Sequence, residues 1–207
     1  MNKTIQKYFV IISAVYLLPL TALAQTSMNF SNAAATGKDG PTQAQVTAAY
    51  DNTTLDDAVT INTQGIQEWT VPATATYTIE AYGAQGGRSY LYNTNTWFDG
   101  GKGAKMVGDF SLTQGDVLKI VVGQEGVEFG SNSRGAGGGG GTFVVLSSGT
   151  TLLIASGGGG GAGDYAYSGD GQTSTSGTAG GNTSGNTGGG AGGTDGSGGN
   201  KYSYGAG

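Results

Sequence analysis

The chain has 207 residues and a formal net charge of −5, with 43 glycines, 3 prolines and neither cysteine nor histidine. Those absences exclude disulfides, Ser-His-Asp and Cys-His nucleophile systems, and the usual zinc ligands. Glycine at about three times its usual share of roughly 7% suggests collagen, a low-complexity chain or a special packing; collagen fails, because it requires Gly at every third position with abundant proline.

The first residues read as a secretory leader. Lys3 and Lys7 give a positive start, Tyr8 to Leu20 is an almost unbroken apolar stretch, and Ala22-Leu23-Ala24 is a small-x-small cleavage site. The apolar run is shorter than the roughly 20 residues a membrane-spanning helix needs. The reading is therefore a signal peptide over 1–24 and a mature chain, 25–207, beginning at Gln25. No cysteine follows the site to carry a lipid, and no later segment is apolar enough to cross a membrane. The expectation is an exported protein, secreted or at the cell surface, with no direct membrane insertion after cleavage.

Pro41 to Tyr50 reads as a short helix, with Pro41 in its first turn, where a missing N–H costs nothing, and an end at Asp51-Asn52. Strand signals follow. Gln67 to Val71 is one, stopped by Pro72. Thr76 to Tyr82 is a second, with Tyr77, Ile79 and Ala81 on one face and Thr78, Glu80 and Tyr82 on the other, the period-2 pattern of a half-buried strand. Met106 to Leu112, Val117 to Val122, Thr142 to Leu146 and Thr151 to Ala155 complete the series. Gln114-Gly115-Asp116 and Ser147 to Thr150 carry turn chemistry that predicts hairpins between adjacent strands. Short strands at this spacing predict a β-sandwich core over about 28–156.

A second texture runs over about 157–207, where about half of the glycines lie among Ser, Thr, Asn, Ala and occasional Tyr. Composition allows disorder, because few apolar groups offset chain entropy. It also allows a bundle of polyproline-II-like glycine helices, with three residues per turn and no internal hydrogen bonds, whose strands bond to one another where no Cβ intervenes. Gly137 to Gly141 and Gly157 to Gly161 suit that lattice better than a β-sheet, where Gly is depleted.

Several segments together resemble one known domain. They are Gly37 to Gln45 followed by Ala49-Tyr50, Gly65 to Thr74, Tyr77 to Gly87, Gly108 to Leu112, Val121 to Gly126, Gly137 to Val144 and Leu152 to Gly160. In this order they resemble the extracellular glycine-rich domain of the anaplastic lymphoma kinase and leukocyte tyrosine kinase receptors. The resemblance implies a tumour-necrosis-factor-like β-sandwich interleaved with polyglycine-II helices, which makes the fold mainly β. Related modules of bacterial surface proteins and phage tail adhesins carry variable recognition loops on glycine helices. The departures are clear. The receptor domains carry disulfides, and Val46 stands where that family has cysteine. The sequence holds no transmembrane helix and no kinase domain, and it stops at Gly207 before the closing strands the family implies, so it reads as incomplete.

Catalytic motifs fail on their surroundings. Gly135-x-Gly137-x-x-Gly140 fits the dinucleotide fingerprint only in form, since a strand and not a helix follows it. Gly37-Lys38 is followed by Asp39, and Gly101-Lys102 by Gly103, so neither is a P-loop. A chain without histidine has no His-Arg-Asp kinase loop. Asp56/Asp57 and Glu125/Glu128 are better explained as solvated turns than as a glycosidase pair. Asp164, Asp170 and Asp195 lack the nonapeptide spacing of calcium-binding repeats. The chain is not expected to be an enzyme or to hold a cofactor or metal, and scattered Lys and Arg give no nucleic-acid footprint.

Recognition remains. Arg88 to Asp99 is an insertion between glycine-rich stretches that carries Tyr90, Leu91, Tyr92, Trp97 and Phe98; Tyr165 and Tyr167 form a second tip, Tyr202 and Tyr204 a third. Tyrosines amid Ser, Gly and Asn match the composition of adaptable binding loops, although the same side chains could instead fold back over the sandwich. Trp69, inside a strand, is expected in the core. The candidate ligand-binding residues are Tyr90, Tyr92, Trp97, Phe98, Tyr165 and Tyr167. The leading expectation is an adhesion or recognition module that binds an extracellular protein or glycan. A receptor-like ectodomain module that binds a secreted protein ligand and a structural matrix protein are the alternatives.

Overall fold

The structure, a computed structural model, describes residues 10–15, 26–91, 95–130, 135–147, 151–163, 168–174 and 176. In chain order the elements begin with β1 (Val10–Val15), β2 (Thr26–Phe30), α1 (Gln43–Tyr50), β3 (Val59–Thr63), β4 (Ile66–Thr70) and β5 (Ala75–Tyr82). They continue with β6 (Ser89–Leu91), β7 (Thr96–Phe98), β8 (Lys105–Leu112), β9 (Val117–Val121), β10 (Thr142–Leu146) and β11 (Thr151–Ser156). The fold is mainly β, with one α-helix among the described residues. The chain divides into two compact units of interleaved segments: 1–81, 107–122 and 143–154 form one, and 82–106, 123–142 and 155–207 the other.

The first unit holds two sheets, ordered β2-β1-β5-β8 and β11-β10-β9-β4-β3. Every register resolved in them is antiparallel. The alternation in β5 is as the sequence predicts, with Tyr77, Ile79 and Ala81 buried and Thr78, Glu80 and Tyr82 partly exposed. Trp69 of β4 is in the core. Its ring meets Phe30 of β2 edge-on at 6.1 Å and Tyr77 of β5 at 6.1 Å, and Phe30 in turn meets Tyr50 of α1 at 6.3 Å. This edge-to-face series joins both sheets and the helix through one aromatic core, each pair adding about 0.5–1.5 kcal/mol beyond its area burial.

Beside that core lies a buried polar network. The Tyr50 hydroxyl donates to Gln67 Oε1 at 2.6 Å and accepts from the Ser31 amide at 2.9 Å, while Gln67 Nε2 donates to the Ser31 carbonyl at 2.7 Å. Gln67 is wholly buried, which its satisfied amide makes tolerable. Val46, at the position where the receptor family has cysteine, is also buried, so an aliphatic side chain fills the space in α1.

Two expectations are corrected. Pro41 precedes the helix instead of starting its first turn: Thr42 is the N-cap, and its capping box with Gln45 sets the start at Gln43. The turn at Gln114-Gly115-Asp116 makes no hairpin, because β8 lies at the edge of one sheet and β9 inside the other. Gly115 N–H donates to the Val71 carbonyl at 2.9 Å and Val71 N–H to the Asp116 carbonyl at 2.8 Å, so the turn is held by the segment after β4. Its positive φ of 91° explains the glycine. The other expected pairing, β10 with β11, is present. The strand series also extends beyond the sequence reading, to β1, β2, β3, β6 and β7.

In the second unit the glycine-rich segments bond to one another with a period of three. Gly83 and Gly86 N–H donate to Ala104 and Gly101, whereas Ala84 and Gly87 N–H donate to Gly140 and Gly137. The carbonyl of Gln85, between them, accepts from Gly126. Successive residues of one segment thus face different neighbours, unlike a β-ladder. The spacing leaves no room for side chains: a Cβ on Gly83, Gly86, Gly101 or Gly159 would lie 1.9 Å from a neighbouring carbonyl oxygen.

Candidate functional site

The aromatic insertion forms a short hairpin in the second unit. β6 pairs antiparallel with β7, and Tyr90 stands directly opposite Trp97. Alternation then sorts the side chains. Ser89 and Leu91 point inward and are buried, while Tyr90 shares the other face with Trp97, which is 42% exposed. The two rings pack at 4.9 Å with a 47° tilt. The Tyr90 hydroxyl donates to Asn95 Oδ1.

A cation completes the cluster. The Arg88 guanidinium lies 4.9 Å from the centre of the Trp97 ring. Its Nε donates to Glu128 Oε1 at 2.7 Å, with a second nitrogen 2.6 Å from the same oxygen. Glu128 is held in reach by backbone pairing of the next residue: Phe129 N–H donates to the Arg88 carbonyl at 2.8 Å, and Tyr90 N–H to the Phe129 carbonyl at 3.0 Å. Residue 129 thus adds a short third edge to the hairpin. Val127, 70% exposed, directly precedes Glu128 in the chain. The arrangement is an exposed amphipathic surface in which an aromatic pair carries a cation held by a carboxylate.

The structure therefore brings Tyr90 and Trp97 together. Phe98 is half-buried on the face of the hairpin opposite Trp97, directly across from Ser89, so it is not part of the exposed cluster. Tyr92, Tyr165 and Tyr167 lie outside the described residues. Arg88 and Glu128 were not singled out as site residues by the sequence. Arg88 directly precedes the aromatic run, which was a usable signal, but Glu128 is forty residues away and only the fold pairs them.

No protein-family model matches the chain. Over 101 residues it is 35% identical to the leukocyte tyrosine kinase receptor of Mus musculus, a stretch covering 47% of this chain and 11% of that receptor. Part of the chain is a distant relative of a receptor ectodomain segment. The chain spans about a tenth of that receptor's length, and the kinase domain is outside the matched stretch. The matched stretch is a non-catalytic ectodomain segment of that receptor.

The remaining geometry bears on chemistries raised by the sequence. The N–H groups of Gly137, Gly139 and Gly140 all donate to protein carbonyls, at 2.8–3.0 Å, so none is left to cradle a phosphate. Among the described residues no group of three acidic side chains is placed to hold a metal ion. Asp170 is occupied in accepting the Lys102 amide at 2.7 Å. No described helix is long and apolar enough to cross a membrane.

Proposed function

We propose that this chain is exported, is cleaved after Ala24, and acts as a non-catalytic recognition module whose β6–β7 hairpin contacts an extracellular protein or glycan. The observation that carries this reading is the exposed Trp97 ring, packed on Tyr90 and capped by Arg88. Energetically important contact positions are enriched in Trp, Tyr and Arg, the three residue types gathered here. On this reading the period-three bonding of the second unit is that of polyglycine-II helices, and the sheets of the first unit form a tumour-necrosis-factor-like sandwich. Support comes from the alternation of neighbours every residue and from the carbonyl oxygens packed where Cβ atoms would stand. The helices serve as a stiff mount for the hairpin.

The test is binding of the exported protein to an immobilised glycan array and to a panel of extracellular proteins, with wild type and Trp97→Ala side by side. The expected result is a hit reduced at least about tenfold by the substitution, since truncating a hot-spot aromatic removes about 2 kcal/mol or more and about 1.4 kcal/mol is tenfold. A wild-type hit that Trp97→Ala leaves unchanged would refute the hairpin as the contact surface. A second reading, a receptor-like module for a secreted protein ligand, is favoured by the 35% match to the mouse receptor; hits confined to secreted proteins support it, and hits confined to glycans oppose it.

A further inference from the structure

The strand β1 lies within the segment that reads as a leader, yet it occupies the interior of a sheet. It pairs antiparallel with β2 on one side and with β5 on the other. Ile12 stands between Met28 and Ile79, and Val10 between Phe30 and Ala81. All six of these residues are buried, and all but Met28 are completely out of solvent contact. Cleavage after Ala24 removes β1 and keeps both of its neighbours.

What remains is a gap of two inter-strand spacings, about 9.5 Å, between β2 and β5. Closing it requires β2 to move by about 4.8 Å onto β5. Because each is antiparallel to β1, the two run parallel to each other, so they would also have to form a new parallel ladder, slightly less stable per residue than the antiparallel ladders lost with β1. β2 is moreover pinned where it is. Phe30 is packed edge-on against Trp69 and Tyr50, Ser27 accepts from Thr54 Oγ1 at 3.0 Å, and the adjoining Ser31 amide donates to Tyr50. An open slot costs the unpaired ladder groups of both strands and exposes Met28, Ile79 and the aromatic core beneath.

We infer that the mature chain carries a strand-acceptor slot between β2 and β5, filled by an extended segment of another polypeptide. This rests on the leader reading under Proposed function, but not on the aromatic hairpin. The structure displays the specification of the donor, because β1 itself is seated in the slot. The donor runs antiparallel to both neighbours, carries aliphatic side chains at alternate positions matching Val10 and Ile12, and has no proline across the paired stretch. This is recognition by strand addition, in which main-chain bonds supply affinity and alternate side-chain pockets supply selectivity. A second copy of the chain is a poor donor, since every described strand is already paired within a sheet.

The experiment uses the chain produced by export, with its N-terminus established by intact mass. Hydrogen exchange is followed in the presence and absence of a synthetic peptide of residues 8–17, and again with that peptide carrying Ile12→Asp. The uncleaved chain made without export serves as the filled reference. The expected result is a mature N-terminus at Gln25 and fast exchange over Thr26–Phe30 and Ala75–Ala81. The wild-type peptide then slows exchange there by about tenfold or more, whereas the Asp peptide has no effect. Four results overturn the inference: retention of residues 10–15 in the exported protein, full protection of β2 and β5 without peptide, a strand-exchanged dimer, or no response to the wild-type peptide. Should the mature chain prove unfolded alone, the uncleaved chain with Ile12→Asp decides the matter. It must lose protection at β2 and β5 first, and equal protection there overturns the slot. Loss of hairpin binding in the preceding section leaves all of these readouts unchanged.

Discussion

Gly138 and Gly139 are adjacent, and neither needs a left-handed backbone, yet the lattice treats them in opposite ways. A Cβ on Gly139 would lie 2.2 Å from the Ala84 carbonyl oxygen, 2.6 Å from that of Gln85 and 2.7 Å from the Ala84 carbonyl carbon. A Cβ on Gly138 meets only the Gly159 oxygen at 3.6 Å, an ordinary contact. Relieving the clash at 139 requires backbone to separate by about 1 Å, which stretches bonds of normal length past their limit. The bonds at risk are Gly139 to Gly159 at 2.8 Å, Gly159 to Ala84 at 2.9 Å and Gly126 to Gln85 at 3.0 Å. At about 0.5–1.5 kcal/mol for each bond, plus part of the 1–3 kcal/mol typical of overpacking, Gly139→Ala should destabilise by about 2–5 kcal/mol. Gly138→Ala should be neutral or stabilising by about 0.4–1 kcal/mol, through the unfolded chain. Urea unfolding of the two variants, followed by backbone circular dichroism, measures the difference. If the two variants agree to within about 0.5 kcal/mol, the close-packed period-three lattice is wrong.

Other outcomes follow from the first unit. Tyr50→Phe strands the Ser31 amide and Gln67 Oε1 in the interior and should cost about 1–3 kcal/mol by denaturant melt. Burial raises the Tyr50 pKa above its ordinary 10.0, against smaller lowering contributions from its bonds to Ser31 and Gln67. The folded state therefore keeps the proton where the unfolded chain loses it. Stability from this group is complete below about pH 10 and declines as pH rises above it; the decline should be shallower in Tyr50→Phe, and identical alkaline profiles would contradict the assignment. Thr42→Ala removes the helix cap and should cost about 1 kcal/mol, read as a lowered melting temperature. Trp69→Ala empties the middle of the aromatic series and should cost about 3–5 kcal/mol, or prevent folding, whereas Trp97→Ala on the exposed hairpin should shift stability by less than about 1 kcal/mol.

Part of the two sheets was legible in the sequence because strands such as β4, β5 and β9 alternate. Tyr77, Ile79 and Ala81 show their face by period alone, and Trp69 between Gln67 and Val71 shows its burial the same way. β6 and β7 were not legible as strands, since three residues carry too little pattern, and their pairing depends on the register that sets Tyr90 against Trp97. The aromatic content of the insertion was visible; that Phe98 turns away from the exposed face was not, because a side chain's face depends on which backbone partner fixes the strand. Arg88 and Glu128 are joined only because residue 129 pairs with the hairpin.

What the sequence determined by itself is what local chemistry controls: the absence of thiol and imidazole chemistry, the existence of the short helix, the alternation of strands such as β5, and the glycine runs that favour a lattice other than a β-sheet. Tertiary structure decided where Gln114-Gly115-Asp116 leads, because a turn's residues set its bend but not which sheet receives the next strand. It also decided which carbonyl stands over which glycine. The same kind of residue is replaceable at Gly138 and irreplaceable at Gly139, since what differs between them is the neighbouring backbone, brought there by segments far away in the chain.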